Sequence, residues 1–267
     1  MLKLVYWFYR VIFARSIFYK LNKLLYSLSL KGLGVLNFES DLVSGEDWFI
    51  NRYVANVDKG IILDVGANVG NYSIKIRRSN SSVEIFCFEP HPLNFEKLQY
   101  NTAQSNMNHF NVGVGSVAGK LTLYDYANND GSSHASLYKE VIEEIHKQKS
   151  VEHEVEVITL DEFAKKYGIK EVHLLKIDTE GHELAVLKGF EGLIRAGKVN
   201  LIHFEFNEMN VASRVFFKDF WDFLPNYDFY RMLPDGLVPI KNYSPVFCEI
   251  FAYQNIVAKL KTVTCLS

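Results

Sequence analysis

Cysteine is scarce in this chain and widely scattered: Cys87, Cys248 and Cys265 are all 3 of them in 267 residues. None is paired as CxxC, which excludes a zinc ribbon and argues against a disulfide framework. An intracellular, reducing compartment follows as the expectation, with a cytoplasmic location. Charge bias is missing too. The formal net charge is −2, so no global pull toward nucleic acid is expected. Internal repeats and low-complexity linkers are absent. No uncharged run approaches the roughly 20 residues of a membrane span. No small-residue cleavage site follows an unbroken apolar stretch, so a secretory leader is not expected. Nor does a compact ligand set such as H-x-x-x-H occur, and metal-independent chemistry is the expectation.

What is present is the composition of a folded domain, 48% hydrophobic and 22% charged, long enough for one large core or a core plus an appendage. The appendage is legible. Lys3, Arg10, Arg15, Lys20, Lys23 and Lys31 come before the first acid, Glu39, and aromatic and aliphatic residues fill the gaps between them. On a helical wheel Ile17, Leu21, Leu24 and Leu28 share one face, opposite Ser16, Lys20, Lys23 and Ser27. Such a basic amphipathic helix could lie on a membrane surface through residues 1–30. It could equally pack its apolar face on the main domain or on a partner subunit. Residues 1–45 are therefore read as an N-terminal basic helical segment and residues 46–267 as one domain.

Within that domain, β-rich runs alternate with helix-like stretches, the signature of an α/β fold with a mainly parallel sheet. Strands are expected at Ile61–Val65, Val83–Phe88, Phe110–Val114, Val172–Ile177 and Leu201–Phe206, with helices at 71–78, 91–106, 161–167 and 183–190. Between Leu121–Tyr126 and Glu154–Leu160, both strand-like, lies an inserted segment with a polar stretch, "ANNDGSSHAS", and a helix over 137–149. The tail offers "YDFYRMLPDG" and "FCEIFAYQN" as an antiparallel hairpin closing the sheet. Its aromatics, Phe216, Phe217, Phe220, Trp221 and Phe223, are read as core, although they could serve a homodimer.

The turn in "IILDVGANVGNYS" carries the functional signal. In an open α/β sheet, ligands sit beyond the carboxyl ends of the strands, and glycine at the first turn lets backbone approach them closely. A nicotinamide dinucleotide usually requires G-x-G-x-x-G; the corresponding positions are Gly66, Asn68 and Asn71, so two glycines are missing. The form D-x-G-x-N-x-G, with Asp64, Gly66, Asn68 and Gly70, suits S-adenosylmethionine instead. Asp64 would meet its ammonium group, and Glu89, ending the second strand, would accept both ribose hydroxyls.

"LDVGANVGNYS", "FEPHP", "TLDEF", "LLKIDTEGHELAVLKG" and "FEFN", spread over residues 60–210, make the chain resemble the FkbM-type methyltransferases. The resemblance implies a Rossmann-like, seven-stranded class I sheet, mostly parallel with an antiparallel C-terminal strand. It implies S-adenosylmethionine as cofactor and methylation of a hydroxyl oxygen, often on a sugar of a polysaccharide, glycolipid or natural product. Pro90 and Gly113 join the cofactor-facing set. Two rivals stand beside this reading: a nucleotide-sugar or dinucleotide enzyme on the same sheet, and a catalytically inert binding protein at a membrane.

Methyl transfer to a hydroxyl needs alignment and a proton acceptor. Asp178, Glu180, His182 and Glu183 follow the strand 172–177, while Glu205 and Asn207 close the next. His182 is the best general-base candidate by its ordinary pKa, against a role as a helix-start residue. Asp178 could orient a base, contact the methionine moiety or ligate a cation with Glu205, or merely cap a helix. Glu205, an acid among aromatics, should be paired or serve the site. His203 reads as structural, and His134 as a surface loop residue that could also belong to a lid.

Overall fold

The computed structural model describes residues 2–126, 139, 143, 147 and 149–261. His134, Cys265 and most of the helix expected over 137–149 lie outside these residues. Two helices lead: α1 (Leu2–Ile12) and, after a 3-10 turn, α2 (Tyr19–Gly32). Of these residues only Leu30 is buried. Leu4, Trp7, Phe8, Leu21, Leu24 and Leu28 are exposed, so among the described residues nothing of the main domain covers this apolar face. From there the chain folds back over the sheet through α3 (Asp41–Ser44) and α4 (Glu46–Tyr53). Gly45, at φ 89°, makes this close approach feasible, because a Cβ there would strike the Leu233 carbonyl oxygen.

Next come β1 (Ile61–Val65), α5 (Asn71–Ser79), β2 (Glu84–Phe88), α6 (Pro92–Asn101) and β3 (Asn108–Phe110). The stretch expected as one strand over 110–114 divides here. β3 pairs with β2, while β4 (Gly113–Val114) crosses to a second sheet with the antiparallel pair β5 (Gly119–Tyr126) and β6 (Ser150–Ile158). Then follow α7 (Leu160–Tyr167), β7 (Val172–Ile177), α8 (Glu183–Lys188), α9 (Glu191–Arg195) and β8 (Val199–Phe206). Thr159 caps α7, its hydroxyl accepting from the Glu162 amide at 3.3 Å. The tail supplies α10 (Met209–Ser213), α11 (Phe217–Phe223), β9 (Tyr227–Leu233), β10 (Gly236–Ile240), α12 (Pro245–Cys248) and β11 (Gln254–Leu260).

The main sheet runs β10-β9-β11-β8-β7-β1-β2-β3, parallel from β8 to β3 and antiparallel from β11 outward. Seven of its strands form the expected class I arrangement and β10 adds an eighth at the edge. The expected tail hairpin is corrected. β9 turns back into β10, not into "FCEIFAYQN". Pro245, at the start of α12, favours a helical turn over a strand; the final strand starts only at Gln254 and slots between β8 and β9.

Period-two alternation builds two cores, one on each face of the sheet. Leu63, Phe86 and Leu175 point into one, with Phe163, Leu187, Phe217 and Phe220; Ile62, Ile85 and Leu174 point into the other, with Phe49, Ile76 and Leu98. The tail aromatics are thus largely core, though Phe216 stays exposed. Cys87 and Cys248 are buried and unbridged. Among the described residues, no helix is long and apolar enough to cross a membrane.

Candidate active site

β1 and β7 are neighbours with connections leaving in opposite directions, which makes their carboxyl ends the switch point where a crevice opens. Gly66 sits there at φ 77°, and its missing side chain is required: a Cβ would collide with the Asp178 carbonyl oxygen. The tips of β1 and β2 are tied by the Gly66 and Ala67 amides, both donating to the Phe88 carbonyl at 2.9 and 3.0 Å.

Three clefts meet at this point, and Asn68 and Asp178 line all of them. The first, about 680 Å³, has Gly66, Glu89, Pro90, Gly113, Thr179, Glu180 and His182 for polar or backbone walls and Phe88, Val112, Val114 and Leu123 as an apolar slot. Glu89 is buried here with its two carboxylate oxygens fixed separately. One accepts the Asn68 amide at 2.8 Å, the other the His91 amide at 2.9 Å. Burial pushes its pKa up to about 7, against the pull of those two amides. A carboxylate held this way beside an apolar slot fits a ribose with its base, so these residues fit an adenosine-bearing cofactor.

The second cleft, about 690 Å³, is lined by Asp41, Glu46, Asp64, Tyr72, Lys75, Lys176, Glu205 and Tyr253 among others. Asp64 is buried, accepts the Ser73 hydroxyl at 2.6 Å, and has its pKa raised by desolvation. Lys176 is buried as well, 3.1 Å from Asp178 and over the Tyr72 ring. Burial alone would depress its pKa, but Asp178, Glu205, Glu46 and Asp64 together hold it raised. The carboxyl of Glu46 is pushed up to about 7 by burial, and that of Glu205 well above the carboxylate range by burial and then by Asp178. Glu205 accepts one Asn207 side-chain hydrogen bond at 3.3 Å. The third cleft, about 1010 Å³, continues past Glu205 to Leu36, Phe38, Asn207 and Met209.

The structure thus brings Asp64, Gly66, Asn68, Glu89, Pro90, Gly113, Asp178 and Glu205 to one crevice. It separates two of the expected catalytic residues: His182 lines the first cleft and Glu205 the other two. Burial lowers the His182 pKa to about 4. Gly70 stands behind the site at the start of α5. Glu183 serves as scaffold, one oxygen accepting the Thr179 and Gly181 amides and thereby shaping the turn through Glu180 and Gly181, both at positive φ. His203 is buried between the Tyr72 hydroxyl and the Asn255 side chain, both at 3.0 Å, the structural role expected of it. Sequence reasoning missed Lys176, Glu46, Tyr72 and Tyr253. A lysine inside the apolar run "VHLLKI" was the available signal for the first.

With this geometry, comparison with known proteins is decisive. The model of the FkbM methyltransferase domain matches residues 64–230. The chain belongs to the FkbM methyltransferase family. Methyltransferase sdnD of Sordaria araneosa is 30% identical over 164 residues, covering 52% of this chain and 63% of that protein. The 2-O-methyltransferase NoeI of Sinorhizobium fredii is 22% identical over 187 residues, 66% of this chain and 76% of that one. The hexuronic acid methyltransferase AglP of Haloferax volcanii is 24% identical over 138 residues, 51% and 52% of the two chains. The match spans less than two thirds of sdnD and 59% of methyltransferase 1 of Beauveria bassiana. A methyltransferase of this fold and family implies S-adenosylmethionine, and membership sets the dinucleotide rival aside.

Proposed function

We propose that the chain transfers a methyl group from S-adenosylmethionine to a hydroxyl oxygen of a sugar in a glycan, a glycolipid or a related natural product. The observation that carries this reading is the polar pocket beside the cofactor cleft, where Lys176 is surrounded by Asp178, Glu205, Glu46 and Asp64. A polyhydroxylated acceptor finds hydrogen-bond partners there; an apolar one does not. The names of two relatives, a 2-O-methyltransferase and a hexuronic acid methyltransferase, lend support.

In this reading Glu89 holds the ribose hydroxyls, and Val112, Leu123, Pro90 and Gly113 enclose the base. Asp64, Gly66, Asn68 and Asp178 receive the amino-acid end. When bound, the cofactor supplies an electrophilic methyl on a sulfonium. The protein's part is alignment, for which proximity contributes about 7–11 kcal/mol, and removal of the hydroxyl proton. Glu205 is our choice of base, because burial raises its pKa and makes it a stronger base than an ordinary carboxylate, and it lines both clefts on the acceptor side. Lys176 keeps it ionisable. His182, neutral beside the cofactor cleft, is the lesser candidate. The exposed Leu4, Trp7 and Phe8, set among Lys3, Arg10 and Arg15, suit a peripheral contact of the first 30 residues with an anionic membrane face.

The test is incubation with methyl-¹³C-labelled S-adenosylmethionine and a panel of uronic-acid and neutral-sugar oligosaccharides, read by NMR. An O-methyl ether on a sugar is expected; label only on nitrogen or carbon would overturn the proposal.

A further inference from the structure

Next to the first cleft, three metal-ligating side chains from three separate elements converge. His91 follows β2, Asp125 lies near the end of β5, and His153 lies on β6. One ligand atom from each falls within 4.8 Å of the others. His91 and Asp125 are fully buried, with His91 Nε2 at 3.0 Å from an Asp125 carboxylate oxygen. The two imidazole rings meet edge to face, centroids 4.8 Å apart. His91 Nε2 faces Asp125, but neither Nδ1 of His91 nor Nε2 of His153 has a hydrogen-bond partner among the described residues. Leaving a buried polar group unpartnered costs about 1–3 kcal/mol.

The register explains the convergence. β5 and β6 pair antiparallel with Leu123 opposite His153 and Asp125 opposite Val151. Asp125 and His153 are therefore diagonal neighbours on one face, turned toward the loop that carries His91. A structural hydrogen bond alone would need one histidine and one acid. Here a second imidazole is added with its Nε2 unmatched.

We infer that His91, Asp125 and His153 form a binding site for a divalent transition metal, zinc by the chemistry of two imidazoles and one carboxylate. Zinc takes such nitrogens at about 2.0–2.1 Å and carboxylate oxygens at about 2.0–2.2 Å, and a tetrahedral set of this kind has ligand atoms roughly 3.4 Å apart. The His91–Asp125 separation already satisfies that spacing, and rotation of His153 closes the rest. Hard cations such as magnesium prefer all-oxygen sets and are poor occupants. The ion would pin the Glu89–His91 loop to β5 and β6. Such a role is structural, and it stands independently of the acceptor and of the transfer chemistry. Reading ligands from spacing in sequence missed the site because its members come together only through the β5–β6 register and the turn after β2.

The experiment is zinc titration of the full chain after chelator treatment, with competition by a chromophoric chelator and cobalt substitution read by visible absorption. About one zinc per chain is expected, with tetrahedral cobalt bands and a higher unfolding temperature. His153→Ala should weaken zinc by roughly 100-fold or more, beyond the 10–100-fold typical of losing an outer-shell partner. His153→Cys, which restores a ligand, should recover binding, and this separates lost coordination from lost folding. No uptake by the wild-type chain, or uptake unchanged in His153→Ala, would overturn the assignment.

Discussion

Lys176 Nζ and an Asp178 carboxylate oxygen stand 3.1 Å apart at the tip of β7, the lysine buried and the aspartate half-exposed, and this pair helps set the charge of the second cleft. Four acids face one ammonium there. Removing the ammonium leaves carboxylates that must either stay uncompensated or take up protons.

Lys176→Met should therefore destabilise the protein by about 3 kcal/mol at pH 7.5. The loss should shrink at pH 5.5, where Glu46, with its pKa raised to about 7, is already protonated. Urea unfolding at both pH values measures this, and an equal loss at both would contradict the coupling. The same variant should move the activity profile to higher pH, since Glu205 would become harder to ionise.

Glu89 gives a pH dependence of cofactor binding. Its free-site pKa is raised to about 7 by burial, and the ionised form accepts the ribose hydroxyls. Below pH 7 binding must first expel a proton, so affinity for S-adenosylhomocysteine should fall by up to about tenfold per pH unit. Glu89→Gln should bind weakly but with a flat profile between pH 5.5 and 8. A wild-type profile equally flat would speak against Glu89 as the ribose ligand.

How much of this was legible beforehand depends on whether a feature is local. The glycine turn at Gly66 and the acid following β2 are encoded within one strand and the residues after it, so their place at the crevice was legible. Strand order is not local. That β11 inserts between β8 and β9 follows from packing of the whole sheet, and "FCEIFAYQN" looked strand-like until Pro245 is seen opening a helical turn. Lys176 was hidden by the habit of reading lysine as solvent-facing. Glu46 and Tyr253 reach the site from opposite ends of the chain, and no spacing rule connects them.

His182 affects stability with the opposite sign to the raised acids. Its folded pKa is lowered to about 4, below the ordinary histidine value near 6.5. Between those values the unfolded chain binds the proton and the folded one does not, so stability is lost as pH falls from 6.5 toward 4. Glu46 and Glu89, raised to about 7, favour the folded state as pH falls from 7 toward 4.5. The comparison must be between wild type and His182→Gln. The variant should lose about 2 kcal/mol less stability than wild type across that window. Identical pH dependence would contradict burial of a neutral imidazole.

Gly66→Ala tests the architecture. Both the left-handed backbone and the Asp178 carbonyl oppose a side chain there. A loss of about 2–4 kcal/mol is expected, the backbone accounting for 1–2 of it. Binding of S-adenosylhomocysteine should fall with it, as β1 and β7 are forced apart. A variant with native stability would mean that the two strand tips do not close on each other.

The first 30 residues make a separate prediction. Co-sedimentation with vesicles containing anionic phospholipid should be strong for the wild type and lost on Trp7→Glu with Phe8→Glu. It should also weaken with salt, since cations contribute. Binding unaffected by the double substitution would remove α1 as the contact.

In the proposed reading the cofactor lies at the β1–β7 switch point with its ribose on Glu89. Calorimetric titration of the intact chain with S-adenosylhomocysteine, beside Glu89→Ala, tests it most directly. Micromolar binding by the wild type, weakened at least tenfold in the variant while its fold is kept, is the predicted result. A well-folded wild type that binds nothing, or a variant that binds as tightly, would contradict it.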